Sequence, residues 1–128
     1  INRHRWDESE LEAALANTNL HHGKVLSTLK SLLNTRIKQP AFHPNATQFT
    51  LHLGVKLFGF WRQSQNRKQS VFCVTNISDK PAALPLSELN LIITEAWVEL
   101  ISGEEITALT QEVMLAPYQT VWISNHRA

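Results

Sequence analysis

Cysteine is scarce in this sequence: a single residue, Cys73, in a chain of 128. No disulfide framework can form, and a reducing, cytoplasmic setting fits. Cys73 stands in the apolar run Val71-Phe72-Cys73-Val74, where a small buried thiol is expected, because hydrophobic neighbours oppose the thiolate a nucleophile needs. Glycine is nearly as sparse, with four residues and no G-x-S-x-G or Gly-rich phosphate loop. That removes the nucleophile elbow and the common nucleotide cradles. Charged residues make up 18% and balance to +1, whereas nucleic acid and anionic membrane surfaces demand clustered cations, so neither is an expected partner. No run approaches the roughly 18 continuous apolar residues of a membrane span, and Ile1-Asn2-Arg3-His4-Arg5-Trp6 does not read as a secretory signal. A complete (β/α)8 barrel, of about 250 residues, is excluded by length.

What is present is an ordinary apolar content of 43%, enough for one packed core. Ser9-Glu10-Leu11-Glu12 has the form of a capping box and predicts a short helix to about Ala16. Val25, Leu26, Leu29, Leu32, Leu33 and Ile37 recur at three- and four-residue spacing and predict a second helix over residues 22–38, stopped by Pro40. Its stripe requires a cover. Beyond Pro40 the period falls to two: Phe49, Leu51 and Leu53 alternate with polar residues. Strands are expected over residues 49–53, 55–61, 70–76, 92–101, 112–115 and 118–123, with 106–109 pairing back across a Ser102-Gly103-Glu104-Glu105 turn. Residues 82–91 read as irregular or edge-like around Pro85. The expected fold is mainly β: an antiparallel β-sandwich preceded by one or two α-helices. Residues 1–39 form the helical lead-in and residues 40–128 the sandwich.

Candidate chemistry is thin. Asp7, Glu8, Glu10 and Glu12 cluster at a helix start, where the dipole favours negative charge, and Glu104-Glu105 fall in a turn. Glu95 and Glu99 flank Trp97 at strand spacing, which suggests either a sugar platform or a charged outward face. The six histidines, His4, His21, His22, His43, His52 and His126, include no H-x-x-x-H pair, so no metal site is expected. Asn45-Ala46-Thr47 and Asn76-Ile77-Ser78 match the glycosylation acceptor pattern and are read as chance matches. Trp6, Trp61, Trp97 and Trp122 could stack on sugar rings; packing is the preferred reading.

Five segments taken in order carry a resemblance: Gln39-Pro40-Ala41-Phe42-His43-Pro44-Asn45-Ala46, Phe60-Trp61-Arg62, Cys73-Val74-Thr75-Asn76, Trp97-Val98-Glu99-Leu100-Ile101-Ser102-Gly103, and Pro117-Tyr118-Gln119-Thr120-Val121-Trp122. Together they resemble the C-terminal end of sucrose phosphorylase-like members of the alpha-amylase superfamily. The resemblance implies a parent enzyme with a catalytic (β/α)8 barrel, followed by an antiparallel β domain, that transfers glucosyl units by retaining double displacement. It implies no nucleotide or redox cofactor. None of the superfamily's catalytic aspartate or glutamate motifs occurs here, so no catalytic residue is carried over. Ile1-Asn2-Arg3-His4 resembles the segment just past the last barrel strand, which makes Arg3 a candidate substrate-binding residue in the full-length parent. The expected role is a non-catalytic C-terminal domain that braces the barrel of the same chain and meets sugar or phosphate only through it. The alternative is a carbohydrate-binding module for α-glucans. Oligomeric state stays open, since apolar surface bared by loss of a barrel could pair two copies as a homodimer.

Overall fold

Helix α1 spans Glu8–Ala16, and Asp7 caps it. The Asp7 carboxylate accepts hydrogen bonds from the Ser9 and Glu10 amides. The expected Ser9 cap is thereby corrected: an ionised carboxylate is the stronger acceptor, and the Ser9 hydroxyl donates to it. Those bonds, the Ser9 hydroxyl first, hold the Asp7 carboxyl below its ordinary value. A tight turn follows, with the Leu20 amide donating to the Asn17 carbonyl at 3.1 Å, and helix α2 runs over His21–Ile37. Gly23 is buried beneath that turn. A Cβ there would stand 2.1 Å from the Asn17 carbonyl oxygen. Of the predicted stripe, Leu26 and Leu32 are half-buried, while Val25, Leu29, Leu33 and Ile37 are between 47% and 73% exposed.

The computed structural model describes residues 3–125; Ile1, Asn2 and His126, named above, lie outside them. The chain forms two compact units, Ile1–Arg36 and Ile37–Ala128. The second opens with a 3-10 turn at Pro40–Phe42. Its strands are β1 Thr47–Leu51, β2 Leu57–Gln63, β3 Ser70–Asn76, β4 Ala82–Pro85, β5 Trp97–Glu99, β6 Glu105–Ile106, β7 Glu112–Leu115 and β8 Thr120–Ser124. One sheet has the order β1-β2-β3-β8-β5-β6, the other pairs β4 with β7, and the pairings are antiparallel. The expected antiparallel β-sandwich behind two helices is what forms.

Period-two alternation divides the large sheet into an inner and an outer face. Inner residues Leu57, Phe72, Val74, Trp97, Val121 and Ile123 pack with Leu84, Leu86, Leu89 and Leu115 into the main core. Residues 92–96 depart from the expected strand. The indole Nε1 of Trp97 donates to the Ile92 carbonyl at 3.0 Å, folding the segment back, and Ile93 is 87% exposed. Ladder pairing therefore starts only at Trp97.

Candidate functional site

The outer face of the large sheet carries a second cluster, in which Ala41, Val71 and Cys73 are buried with Phe42, Phe60, Leu100 and Trp122 packed around them. Two side chains tie residues 39–43 onto it. Arg62, on the outer side of β2, donates from Nε to the Ala41 carbonyl at 2.8 Å, from one terminal nitrogen to the His43 carbonyl at 2.6 Å and from the other to Gln48 Oε1 at 3.1 Å. Gln69 is buried beside β3: its oxygen accepts from the Ala41 amide at 2.9 Å, and its nitrogen donates to Gln39 Oε1 at 2.6 Å and Ser124 Oγ at 3.2 Å. Buried amides of this kind are retained only when paired, so the network fixes the segment in one place. Under it, burial pushes the Cys73 thiol up to about 12 against the opposing pull of the Arg62 guanidinium. A thiol so placed is no nucleophile.

The carboxylates that flank Trp97 are engaged in local structure. Glu99 accepts from the amides of Ile101, Ser102 and Trp122 at 3.1, 2.6 and 2.8 Å, holding the β5–β6 hairpin to β8. Glu95 accepts from Asn125 Nδ2 at 2.6 Å. With Trp97 buried between the sheets, neither the sugar platform nor the outward charged face forms at this strand. An open groove of about 330 Å3 at the β6–β7 end is lined by Glu99, Glu104, Glu105, Met114 and Gln119 among others, with no aromatic ring for a sugar to stack on.

Trp61 and Trp122 also pack, whereas Trp6 is 41% exposed. Trp61 lies between Phe49 and Phe72, with ring centroids 4.6 and 5.4 Å away, and Trp122 meets Phe42 at 5.1 Å. Trp6, in the first unit, contacts His4 and His22 edge-on at 4.9 and 5.3 Å. Among the described residues no three His, Cys, Asp or Glu side chains are grouped to hold a metal ion. No described helix is long and apolar enough to cross a membrane. Arg3 is exposed in the irregular segment ahead of α1. Sequence reasoning quoted Arg62 within a motif but missed its clamp; the signal available was one arginine closing an aromatic strand, Phe58-Gly59-Phe60-Trp61-Arg62.

Fold and site together define a class: a sandwich module whose polar side chains hold its own segments in place. The family described as maltogenic amylase, C-terminal domain, matches residues 42–122, and the chain belongs to it. A glucosylglycerate phosphorylase from Allomeiothermus silvanus is 32% identical over 123 residues, which is 96% of this chain and 19% of that protein. The chain thus spans about a fifth of the length of this relative. Among solved structures, AmyP in complex with maltose superposes with a TM-score of 0.70 at 13% identity, covering 85% of this chain and 22% of that one. An Anoxybacillus alpha-amylase gives 0.61 at 14% identity, covering 79% and 22%. The resemblance to C-terminal regions of the alpha-amylase superfamily is borne out.

Proposed function

We propose that this chain is the non-catalytic C-terminal domain of a longer, cytoplasmic, sucrose phosphorylase-like glucosyltransferase, and that it braces the catalytic (β/α)8 barrel of the same polypeptide. The observation that carries this reading is the family match over the sandwich, joined to a phosphorylase relative of which the matching part is only 19%. Residues 1–39 are read as the end of the barrel region and residues 40–128 as the C-terminal domain. The exposed residues of the α2 stripe, Val25, Leu29, Leu33 and Ile37, support the reading, since each large apolar side chain buried at an interface contributes on the order of 1.5–3 kcal/mol.

In the parent, Arg3 is proposed to reach the glucose-binding subsite. Arg3→Ala in the full-length enzyme should raise KM for the glucosyl donor, and an unchanged KM removes Arg3 from the site. Two measurements test the bracing role. The 128-residue chain alone should show no phosphorolysis of sucrose or glucosylglycerate, and a parent lacking it should lose folding yield and thermal stability. Turnover by the isolated chain, or a truncated parent with unchanged Tm, overturns the reading.

A further inference from the structure

We propose that the free edge of β1 is an interaction surface and that its occupant is β1 of a second copy of this chain, paired antiparallel about a two-fold axis at Phe49. A strand at the end of a sheet turns a row of amides and carbonyls outward, and folds blunt such edges with charge, proline, bulges or short length. Among the described residues the two sheets have four edge strands, and three of them are blunted. β6 is two residues long and carries Glu105, β4 ends on Pro85, and β7 opens with Glu112. β1 has none of these devices. Thr47-Gln48-Phe49-Thr50-Leu51 holds no charge and no proline, its register with β2 runs from Thr47↔Gln63 to Leu51↔Gly59 without a skipped residue, and its first four residues are exposed.

The composition of the strand selects the occupant. In an antiparallel pair centred on residue 49, Phe49 faces its own copy, Gln48 faces Thr50 and Thr47 faces Leu51. Aromatic side chains directly opposite one another make a favourable cross-strand pair, and no like charges meet along the seam. Phe49 is open to this contact: it stacks on Trp61 yet is 42% exposed. The contact is also closed, because each copy uses its one undefended edge on the other, so assembly stops at two and does not run on into a fibre. A strand of five residues is far smaller than the roughly 20–30 residues a side of a standard stable interface, so the dimer is weak and forms as concentration rises.

The test uses the full-length protein and disulfide trapping under mild oxidation, scored as covalent dimer on a non-reducing gel after subtraction of the unsubstituted protein. Residues directly opposite in an antiparallel pair have Cα atoms about 4.5–5.5 Å apart, within the span of a disulfide. Phe49→Cys, at the two-fold axis, should therefore trap a dimer. Thr47→Cys should not, because the two copies of residue 47 stand four positions out of register, about 14 Å apart along the seam. No trapping at 49, or equal trapping at both positions, overturns the proposal. Thr50→Lys keeps Phe49 in place and sets a cation on the edge. It should raise the dimer dissociation constant in sedimentation equilibrium at least about tenfold. An unchanged constant overturns the proposal, as does an unsubstituted protein that stays monomeric up to about 1 mM.

Discussion

Asn76 is fully buried at the end of β3, its amide nitrogen donating to the carbonyls of Lys80, Leu115 and Ala116 while its oxygen accepts from the Ser78 amide and hydroxyl. The apparent glycosylation acceptor is thus a joint between the two sheets, with Ser78 as its local partner. Asn76→Ala removes three donated bonds and the acceptor of Ser78; the Lys80 carbonyl keeps the Ser78 hydroxyl and the Ala116 carbonyl keeps the Gln119 amide, so urea or thermal unfolding should register a loss of about 1–3 kcal/mol. Asn45→Ala, at the exposed acceptor, should stay within about 0.5 kcal/mol. Cys73 supplies a pH test. Its folded value of about 12 lies above the ordinary 9.0, so the neutral buried thiol favours the fold below pH 9, and that contribution is lost as pH rises from 9 toward 12. Cys73→Ser should flatten this alkaline decline relative to the unsubstituted chain, and the native thiol should resist alkylation at neutral pH. At this scale sequence reasoning foresaw a buried cysteine from its apolar neighbours. It did not foresee the Arg62 clamp, whose partners are backbone carbonyls 19 and 21 positions away that no local pattern reveals.

Among the elements, β3 was legible to the residue, because the apolar run Val71-Phe72-Cys73-Val74 lies at the middle of Ser70–Asn76 between polar loops. β5 was not. Ile92 and Ile93 have strand-forming side chains, yet the Trp97 indole bond to Ile92 bends them out of the ladder, and that bond exists only once Trp97 is in the core. The helix pair was legible in its stripe and missed in its cap, where Asp7 and Ser9 compete for the same amides. Gly23 carries no local signal in the sequence, since only the tight turn from α1 brings the Asn17 carbonyl against it. Gly23→Ala gains about 1 kcal/mol of helix propensity, but the clash is with backbone and cannot be relieved by a rotamer change. A net destabilisation of about 1–3 kcal/mol is expected, read as a lower melting temperature of the helical circular-dichroism signal. A variant as stable as the parent sequence would show that the turn yields.

For the whole molecule, the order of helices followed by an antiparallel sandwich was legible from the change of period at Pro40, whereas the strand order β1-β2-β3-β8-β5-β6 was not, because alternation assigns a residue to a face and says nothing of which strand lies beside it. The 128-residue chain, lacking a barrel, should self-associate with rising concentration in sedimentation velocity, and Leu29→Glu combined with Phe58→Glu should reduce that association to what the β1 edge sustains. Sedimentation unchanged by the pair would show that these surfaces are not adhesive.

The pinned segment also governs where this module can be cut. The family match begins at residue 42, so an excision there would discard Gln39 and Ala41. The Gln69 amide would keep Ser124 but lose Ala41 and Gln39, the Arg62 Nε would lose the Ala41 carbonyl, and the Cys73 cluster would lose Ala41. A graft intended to lend this sandwich to another enzyme therefore has to carry the three residues upstream of that boundary, or it transplants an open wound in place of a finished surface.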